Sequence, residues 1–262
     1  MKNYLKIFYL LFILTIGFIA LRKGFISKNS SSSPTPPPAY GEGENLDKLQ
    51  KIKWDDKEYA ISIIKVEKIS LLKLLPNFTE KLTASDAKEK YACSELISGG
   101  FYLEDSTPTG LFISEGKVIK NWIKNNLLNG VLSVNDFDTP RITFEVPKDH
   151  LRIALQTGPV LIENAKILKL SLIKDDPARR VVGAITGDNT LYFLIIYNEN
   201  QVFDGPFLKD MPNVISEIQK DTGIVFADAI NLDGGSASAF YSDEVNLAEM
   251  SPVGSFFCIK KN

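Results

Sequence analysis

The run Asn231-Leu232-Asp233-Gly234-Gly235-Ser236 brings an amide, a carboxylate, a hydroxyl and flexible backbone together near the end of the chain. Residues 223–230 precede it and are rich in branched and aromatic side chains, which is typical of a buried strand. Because functional groups often lie where a rigid element ends in a loop, we interpret the run as a site. Its structural alternative is a tight turn in which the carboxylate satisfies local amides.

Each polar group of this run suits a different task. Asp233 is the candidate catalytic carboxylate, and Asn231 would orient either Asp233 or the hydroxyls of a substrate. Gly234, Gly235 and Ser236 would contact the substrate, because glycine lets the backbone approach a ligand closely and a hydroxyl can both donate and accept.

Three further motifs carry residues that could bind a substrate. The substrate-binding candidates are Ser98, Gly99, Gly100, Gln156, Thr157 and Gly158. Arg180 opens an apolar strand and is a catalytic candidate, because its planar fork can donate two parallel hydrogen bonds to a phosphate. Tight turns and a solvated strand end are the structural alternatives for these motifs.

The remaining composition excludes several classes of protein. A net charge of -2 gives no basic excess for nucleic acid, and a single histidine, His150, excludes a histidine-rich zinc site. Cys93 and Cys258 are isolated and form no metal or redox motif. Two buried free thiols are favoured over a disulfide, since the spacing alone does not establish a pairing distance.

No cofactor or metal is required by these motifs. Asp233 and Asn231, together with backbone carbonyls, could offer the hard oxygen ligands that calcium or magnesium prefers. The spacing does not demand such an ion.

The N-terminal residues predict export. Residues 1–25 combine a short basic region with an uncharged apolar run, which indicates a signal peptide or, as we favour, an uncleaved membrane anchor. Residues 26–45 are rich in serine and proline and predict an extended linker. Residues 46–262 would then form one domain, periplasmic or at the cell surface and tethered to the membrane.

Strand-like segments outnumber helical ones in residues 46–262. The predicted strands are 59–66, 110–113, 130–134, 142–146, 153–156, 180–185, 191–197 and 224–230, and the predicted helices are 85–91 and 208–220. Strand and helix do not alternate regularly, which argues against a doubly wound fold or a TIM barrel. We therefore predict an α+β domain with a mixed, strand-rich central sheet flanked by helices.

The order of these motifs resembles the phosphodiester glycosidase family. The resemblance covers residues 91–259 and is carried by Ser98-Gly99-Gly100-Phe101-Tyr102, Pro108 with Gly110-Leu111, Gln156-Thr157-Gly158-Pro159, Arg180 with Gly183, and Asn231-Leu232-Asp233-Gly234-Gly235-Ser236. It implies a mixed α/β fold and a hydrolase that cleaves the glycosidic bond of a sugar phosphodiester. The substrate would be such a diester or a related envelope glycan.

One departure keeps a second function open. The family usually has asparagine where this chain has Ser98, and a hydroxyl cannot reproduce the reach of an amide. The alternative is therefore a tethered carbohydrate-binding module with a degenerate, non-catalytic pocket.

Overall fold

The computed structural model describes residues 50–105 and 107–261, which belong to one compact unit, Glu44–Asn262. These residues form three antiparallel sheets and two short helices. The first sheet has seven strands, in the spatial order β1 (Gln50–Trp54), β2 (Lys57–Lys65), β13 (Leu191–Tyr197), β12 (Arg180–Thr186), β14 (Phe226–Asn231), β10 (Val160–Glu163) and β11 (Lys166–Ile167).

The other two sheets have five strands each. The second contains β16 (Asn246–Leu247), β15 (Phe240–Tyr241), β4 (Cys93–Ser98), β17 (Ser255–Lys260) and β3 (Leu72–Pro76), in that spatial order. The third contains β6 (Lys117–Lys120), β5 (Phe112–Ser114), β9 (Leu151–Thr157), β7 (Gly130–Asn135) and β8 (Pro140–Thr143).

The largest hydrophobic core lies between the three sheets. It takes Phe193 and Ile230 from the first sheet, Phe257 from the second, and Leu132 and Leu155 from the third. Neighbouring residues on a strand face opposite sides, so the strands also bury side chains in smaller clusters outside this core. The sheets therefore cover one another, and helices are needed on few faces.

The two helices occupy two of these outer faces. α2 (Met211–Thr222) buries Met211, Val214, Ile215 and Ile218 against the first sheet, and ends at Gly223 in the left-handed conformation, with φ 73°. α1 (Ala84–Lys90) is shorter, and the side chain of Thr83 caps it by accepting from the Asp86 N–H. The predicted helices exist, but each begins at a different residue from the one we expected.

The predicted fold class is wrong. We expected an α+β domain with a mixed sheet flanked by helices, whereas every strand pairing among the described residues is antiparallel and strands dominate. The reason is physical. Sheets that pack on each other bury their inner faces without helices.

The cysteines also correct a prediction. We favoured two free thiols, but Cys93 on β4 and Cys258 on β17 form a disulfide. The two strands are antiparallel neighbours, and their pairing brings together residues 165 positions apart in sequence. Local sequence could not reveal that pairing.

The described residues include no helix with the length and apolarity needed to cross a membrane. The predicted signal or anchor, residues 1–25, and the predicted linker, residues 26–45, lie outside the described part of the chain.

Candidate active site

Asp233 lies just beyond the end of β14, where the chain leaves the first sheet. The Leu232 N–H donates to the Val181 carbonyl at 2.8 Å, so the chain still follows β12 at this residue. The next N–H, that of Asp233, donates instead to the Gly99 carbonyl at 3.0 Å. The run identified from sequence therefore joins the first sheet to the segment that follows β4 in the second.

Burial dominates the electrostatics of the Asp233 carboxyl. The residue is only 8% exposed, and this burial raises its pKa from 3.8 to about 8. The Gly234 N–H donates to the carboxylate and lowers the pKa, but it does not offset the burial. Asp233 forms no ion pair with any residue in the described ranges. The carboxyl therefore holds its proton at neutral pH.

The glycine turn after Asp233 is fitted closely to the backbone of Arg179. A Cβ atom on Gly234 would lie 2.4 Å from the Arg179 carbonyl oxygen, which leaves no room for a side chain. Gly235 donates its N–H to the same oxygen at 2.8 Å and has φ 61°, a left-handed conformation that favours glycine. The two glycines thus let the chain turn immediately beside the acid.

The motif Ser98-Gly99-Gly100 frames Asp233 from the second sheet. The Ser98 hydroxyl is fully buried and donates to the backbone carbonyl of Asp233 at 3.2 Å. Gly99 donates its N–H to the Ser255 carbonyl at 2.8 Å, and Gly100 donates to the Ser255 hydroxyl at 3.3 Å. This motif therefore meets the predicted acid directly, through backbone and hydroxyl contacts.

Thr157 and Gly158 frame Asn231 from the third sheet. The Thr157 hydroxyl donates to the Asn231 carbonyl at 2.8 Å, and the Asn231 side-chain amide donates to the Gly158 carbonyl at 3.0 Å. The Asn231 Oδ1 atom is buried and has no hydrogen-bond partner among the described residues. Asn231 can therefore still accept a donor through this atom, although its predicted orienting role stays a prediction.

Gln156 uses its whole side-chain amide on backbone. Its oxygen accepts from the N–H groups of Leu111 at 3.0 Å and Ile123 at 3.1 Å. Its nitrogen donates to the carbonyls of Ile123 at 2.7 Å and Leu128 at 2.9 Å. Gln156 thus ties together the loops on either side of β5 and β6, and substrate contact by this residue stays a prediction.

Arg180 points its guanidinium at other protein groups. It pairs with Asp175 at 3.3 Å and donates to the carbonyls of Pro206 at 2.9 Å and Asp176 at 2.6 Å. Burial lowers its pKa. Asp175 in turn accepts from the N–H groups of Leu208 and Lys209. Arg180 therefore braces the segment before α2, and its predicted phosphate contact stays a prediction.

The surroundings of Asp233 also include Ser236 and three residues that were not predicted as site residues. The Ser236 hydroxyl accepts from the Ser251 hydroxyl at 3.1 Å. Arg179 is fully buried, donates to the Ser238 hydroxyl at 2.8 Å and stacks on Phe203. Ser255 accepts hydrogen bonds from the N–H groups of Gly99 and Gly100. The pKa of Tyr102 is raised, mainly by burial and to a smaller extent by the nearby Asp233 carboxylate.

Sequence signals for these missed residues were weak. The one local signal for Arg179 was its position beside Arg180, since consecutive residues of an extended chain point to opposite sides. Nothing local marked Ser255, because its partners lie about 155 residues earlier in the chain.

Metal binding has no further support from side-chain clusters. Residues 50–105 and 107–261 contain no group of three or more His, Cys, Asp or Glu that could hold an ion. A calcium or magnesium ion at Asn231 and Asp233 therefore stays a prediction.

The site thus places a buried carboxyl with a raised pKa beside a glycine turn. A family model described as phosphodiester glycosidase matches residues 91–259, more than half of the chain and all of the site. The chain therefore belongs to the phosphodiester glycosidase family, as the motif order indicated. No curated protein matches the sequence significantly.

Solved structures with similar folds include one enzyme of this family. The catalytic domain of zebrafish N-acetylglucosamine-1-phosphodiester alpha-N-acetylglucosaminidase, auto-inhibited by its pro-peptide, has a TM-score of 0.64 at 13% identity, covering 82% of each chain. A hypothetical protein from Synechocystis has a TM-score of 0.59 at 11% identity, covering 80% of this chain and 61% of its own. A Burkholderia pseudomallei protein predicted to be exported has a TM-score of 0.52 at 10% identity. The match covers 78% of the present chain and 74% of the Burkholderia protein.

Proposed function

We propose that this protein hydrolyses the glycosidic bond of a sugar phosphodiester, or of a related envelope glycan, and releases free sugar and a phosphate monoester. Family membership supports the reaction class. The observation that carries the proposal is the Asp233 carboxyl, whose pKa of about 8 makes it a proton donor at neutral pH.

The proposed reaction uses Asp233 twice. As the bond between the anomeric carbon and the bridging oxygen breaks, the electron pair stays on that oxygen, which takes the Asp233 proton. Water then adds to the anomeric carbon and returns one proton to the Asp233 carboxylate. A phosphate oxygen is already a stable leaving group, so donation of this proton supplies part of the rate and the positioning of the sugar supplies the rest.

Arg180 is proposed to contribute through one of two roles that can be separated by experiment. If its guanidinium contacts the phosphate, Arg180→Ala raises KM, because a charge contact to the substrate is lost. If it braces Asp175 and Pro206, as its hydrogen bonds favour, the same variant lowers the unfolding temperature and leaves KM unchanged. Kinetics and thermal unfolding of one preparation distinguish the roles.

An extracytoplasmic location, with tethering through residues 1–25, is part of the proposal. The disulfide between Cys93 and Cys258 supports it, since disulfides persist in oxidising compartments. The similarity to a protein predicted to be exported agrees with it. Cell fractionation and protease treatment of intact cells test it. Protection of the domain from external protease together with recovery in the cytoplasmic fraction would contradict it.

The second candidate function is a carbohydrate-binding module without turnover. It is favoured by the Ser98 hydroxyl, which is fully buried and donates its proton to the Asp233 carbonyl instead of to a substrate. This function needs a surface that binds the sugar but not the proton of Asp233.

Release of free sugar from glucosyl and N-acetylglucosaminyl methyl phosphodiesters by the full-length protein decides between the two. We expect release by the wild type and a loss of about 10²–10⁴-fold in Asp233→Asn, the usual contribution of a positioned acid. Asp228→Asn is the matched control, because Asp228 lies on the same strand and its carboxylate accepts from the Asn164 N–H. Glycan binding without release by the wild type would favour the binding module.

A further inference from the structure

A closed ring of contacts surrounds the Asp233 turn. Asp233 is joined to Gly99 and Gly99 to Ser255, both through backbone hydrogen bonds. The loop before Ser255 returns to the turn, where the N–H groups of Met250 and Ser251 donate to the Ser236 carbonyl at 2.8 and 2.9 Å. The segment after Gly100 and the loop 250–254 therefore form neighbouring walls around the acid.

Tyr102 links these two walls. Its hydroxyl donates to the Pro252 carbonyl, and its side chain packs against Gly254, where a Cβ atom would come within 2.8 Å of the Tyr102 Cδ1 atom. Tyr102 also forms an isolated bridge with Pro108, which holds the segment as a hairpin. Tyr102 is half-buried, and it lies near enough to Asp233 for that carboxylate to raise the pKa of its phenol, after the larger effect of burial.

The polar side chains predicted to bind the sugar are largely used within the protein. Ser98 and Thr157 donate to backbone carbonyls, and Gln156 makes four hydrogen bonds to backbone. A pyranose ring also has an apolar face of C–H groups, which an aromatic ring can cover while its hydroxyl stays hydrogen-bonded. Tyr102 offers a partly exposed aromatic side chain in the walls around the acid.

We propose that the Tyr102 ring is the platform of the sugar subsite, on which the pyranose ring of the substrate stacks beside Asp233. Gly254 and the Pro252 carbonyl fix the position of this platform. The inference rests on the proposed function, because it takes Asp233 as the point of bond cleavage. It assigns Tyr102 to binding and not to proton transfer.

Three variants separate the ring from its hydroxyl and its position. Tyr102→Leu removes the aromatic face and is expected to raise KM for the methyl phosphodiesters about tenfold, with kcat changed less than about threefold. Tyr102→Phe keeps the aromatic face but loses the hydrogen bond to the Pro252 carbonyl, so a smaller rise in KM, of at most about threefold, is expected. Gly254→Ala keeps Tyr102 but displaces the Tyr102 ring, so a rise in KM between those of the other two variants is expected. Phe137→Leu is the control, because this exposed aromatic lies between β7 and β8.

Binding to an inactive protein separates this inference from the proposed function. Calorimetry with Asp233→Asn, alone and combined with Tyr102→Leu, measures affinity for the same methyl phosphodiesters without turnover. A tenfold weaker affinity in the double variant supports the platform even where no variant releases sugar. Unchanged affinity in the double variant would overturn it. If Tyr102→Leu unfolds, unchanged affinity in Gly254→Ala, folded by thermal denaturation, would overturn it equally.

Discussion

Two kinds of buried polar side chain meet at the end of β14. One kind forms hydrogen bonds with backbone groups and so joins neighbouring sheets and loops around the site, as Ser98, Gln156 and Thr157 do. Asp233 is equally enclosed, yet its carboxyl receives only the Gly234 N–H and forms no ion pair with a described residue. The first kind stabilises the fold, whereas the second destabilises it when ionised and is the proton donor of the proposed reaction. Stability and the proposed reactivity therefore depend on different residues.

The largest expected difference between Asp233 and the hydrogen-bonded residues Ser98, Gln156 and Thr157 is in how the stability of the fold depends on pH. The folded-state pKa of Asp233, about 8, exceeds its ordinary value of 3.8, so the folded state keeps a proton that the unfolded state loses between these values. Its contribution to stability is full below pH 4 and is lost as pH rises to 8, by roughly 1 kcal/mol per pH unit. Denaturant unfolding of wild type and Asp233→Asn from pH 4 to 8 measures it. Parallel curves for the two proteins would contradict a raised pKa.

Replacing a buried residue whose side chain is fully hydrogen-bonded, such as Gln156, should destabilise the protein at every pH. Gln156→Leu leaves two N–H groups and two carbonyls buried without their partner, so the free energy of unfolding should fall by about 3 kcal/mol or more. Gln201→Leu changes an exposed glutamine and should alter stability by less than about 0.5 kcal/mol. Equal stability of the two variants in urea would show that Gln156 does not hold these loops.

The glycine turn links the two kinds of residue. Gly234→Ala would place a Cβ atom 2.4 Å from the Arg179 carbonyl, so the turn must shift, at a cost of about 1–3 kcal/mol. Gly187→Ala has nothing within 4 Å of its added Cβ and serves as the control. Thermal unfolding compares the two, and sugar release shows whether the shifted turn also impairs Asp233. A Gly234→Ala protein as stable and active as Gly187→Ala would refute the close fit.

Ser98 gives the smallest expected change. Ser98→Ala removes one buried hydrogen bond to the Asp233 carbonyl and should cost about 1 kcal/mol, with a modest fall in kcat. Ser94→Ala, on the same strand, removes a similar bond to the Ile259 carbonyl away from the acid and should leave kcat unchanged. A fall in kcat of the same size in both variants would mean that Ser98 does not position Asp233.

Local sequence patterns predicted the strand β14, which leads into the site, and the helix α2. Branched residues before Asn231 predicted a strand, and β14 ends at that residue. The periodic apolar residues of α2 predicted a helix, with its start displaced by three residues, because Leu208–Asp210 forms a 3-10 turn. Motif order identified the family, because it samples several distant segments at once.

Long-range pairing could not be predicted in the same way. The Cys93–Cys258 disulfide, the Ser255 contacts to Gly99 and Gly100, and the Arg180–Asp175 pair depend on which elements become neighbours. Two-residue strands such as β15 and β16 are too short to show a periodicity. The fold class was wrong for the same reason, since strand spacing does not reveal which sheet covers which.

Direct titration of the Asp233 carboxyl tests the central claim, that burial keeps this acid protonated at neutral pH. The carbonyl-carbon NMR signals of protein labelled at aspartate, assigned by comparison with Asp233→Asn, follow each carboxyl through its own transition. A midpoint at about 8 for Asp233 is predicted. A midpoint near its ordinary value of 3.8 would contradict the account, because the site would then have no proton to give at neutral pH.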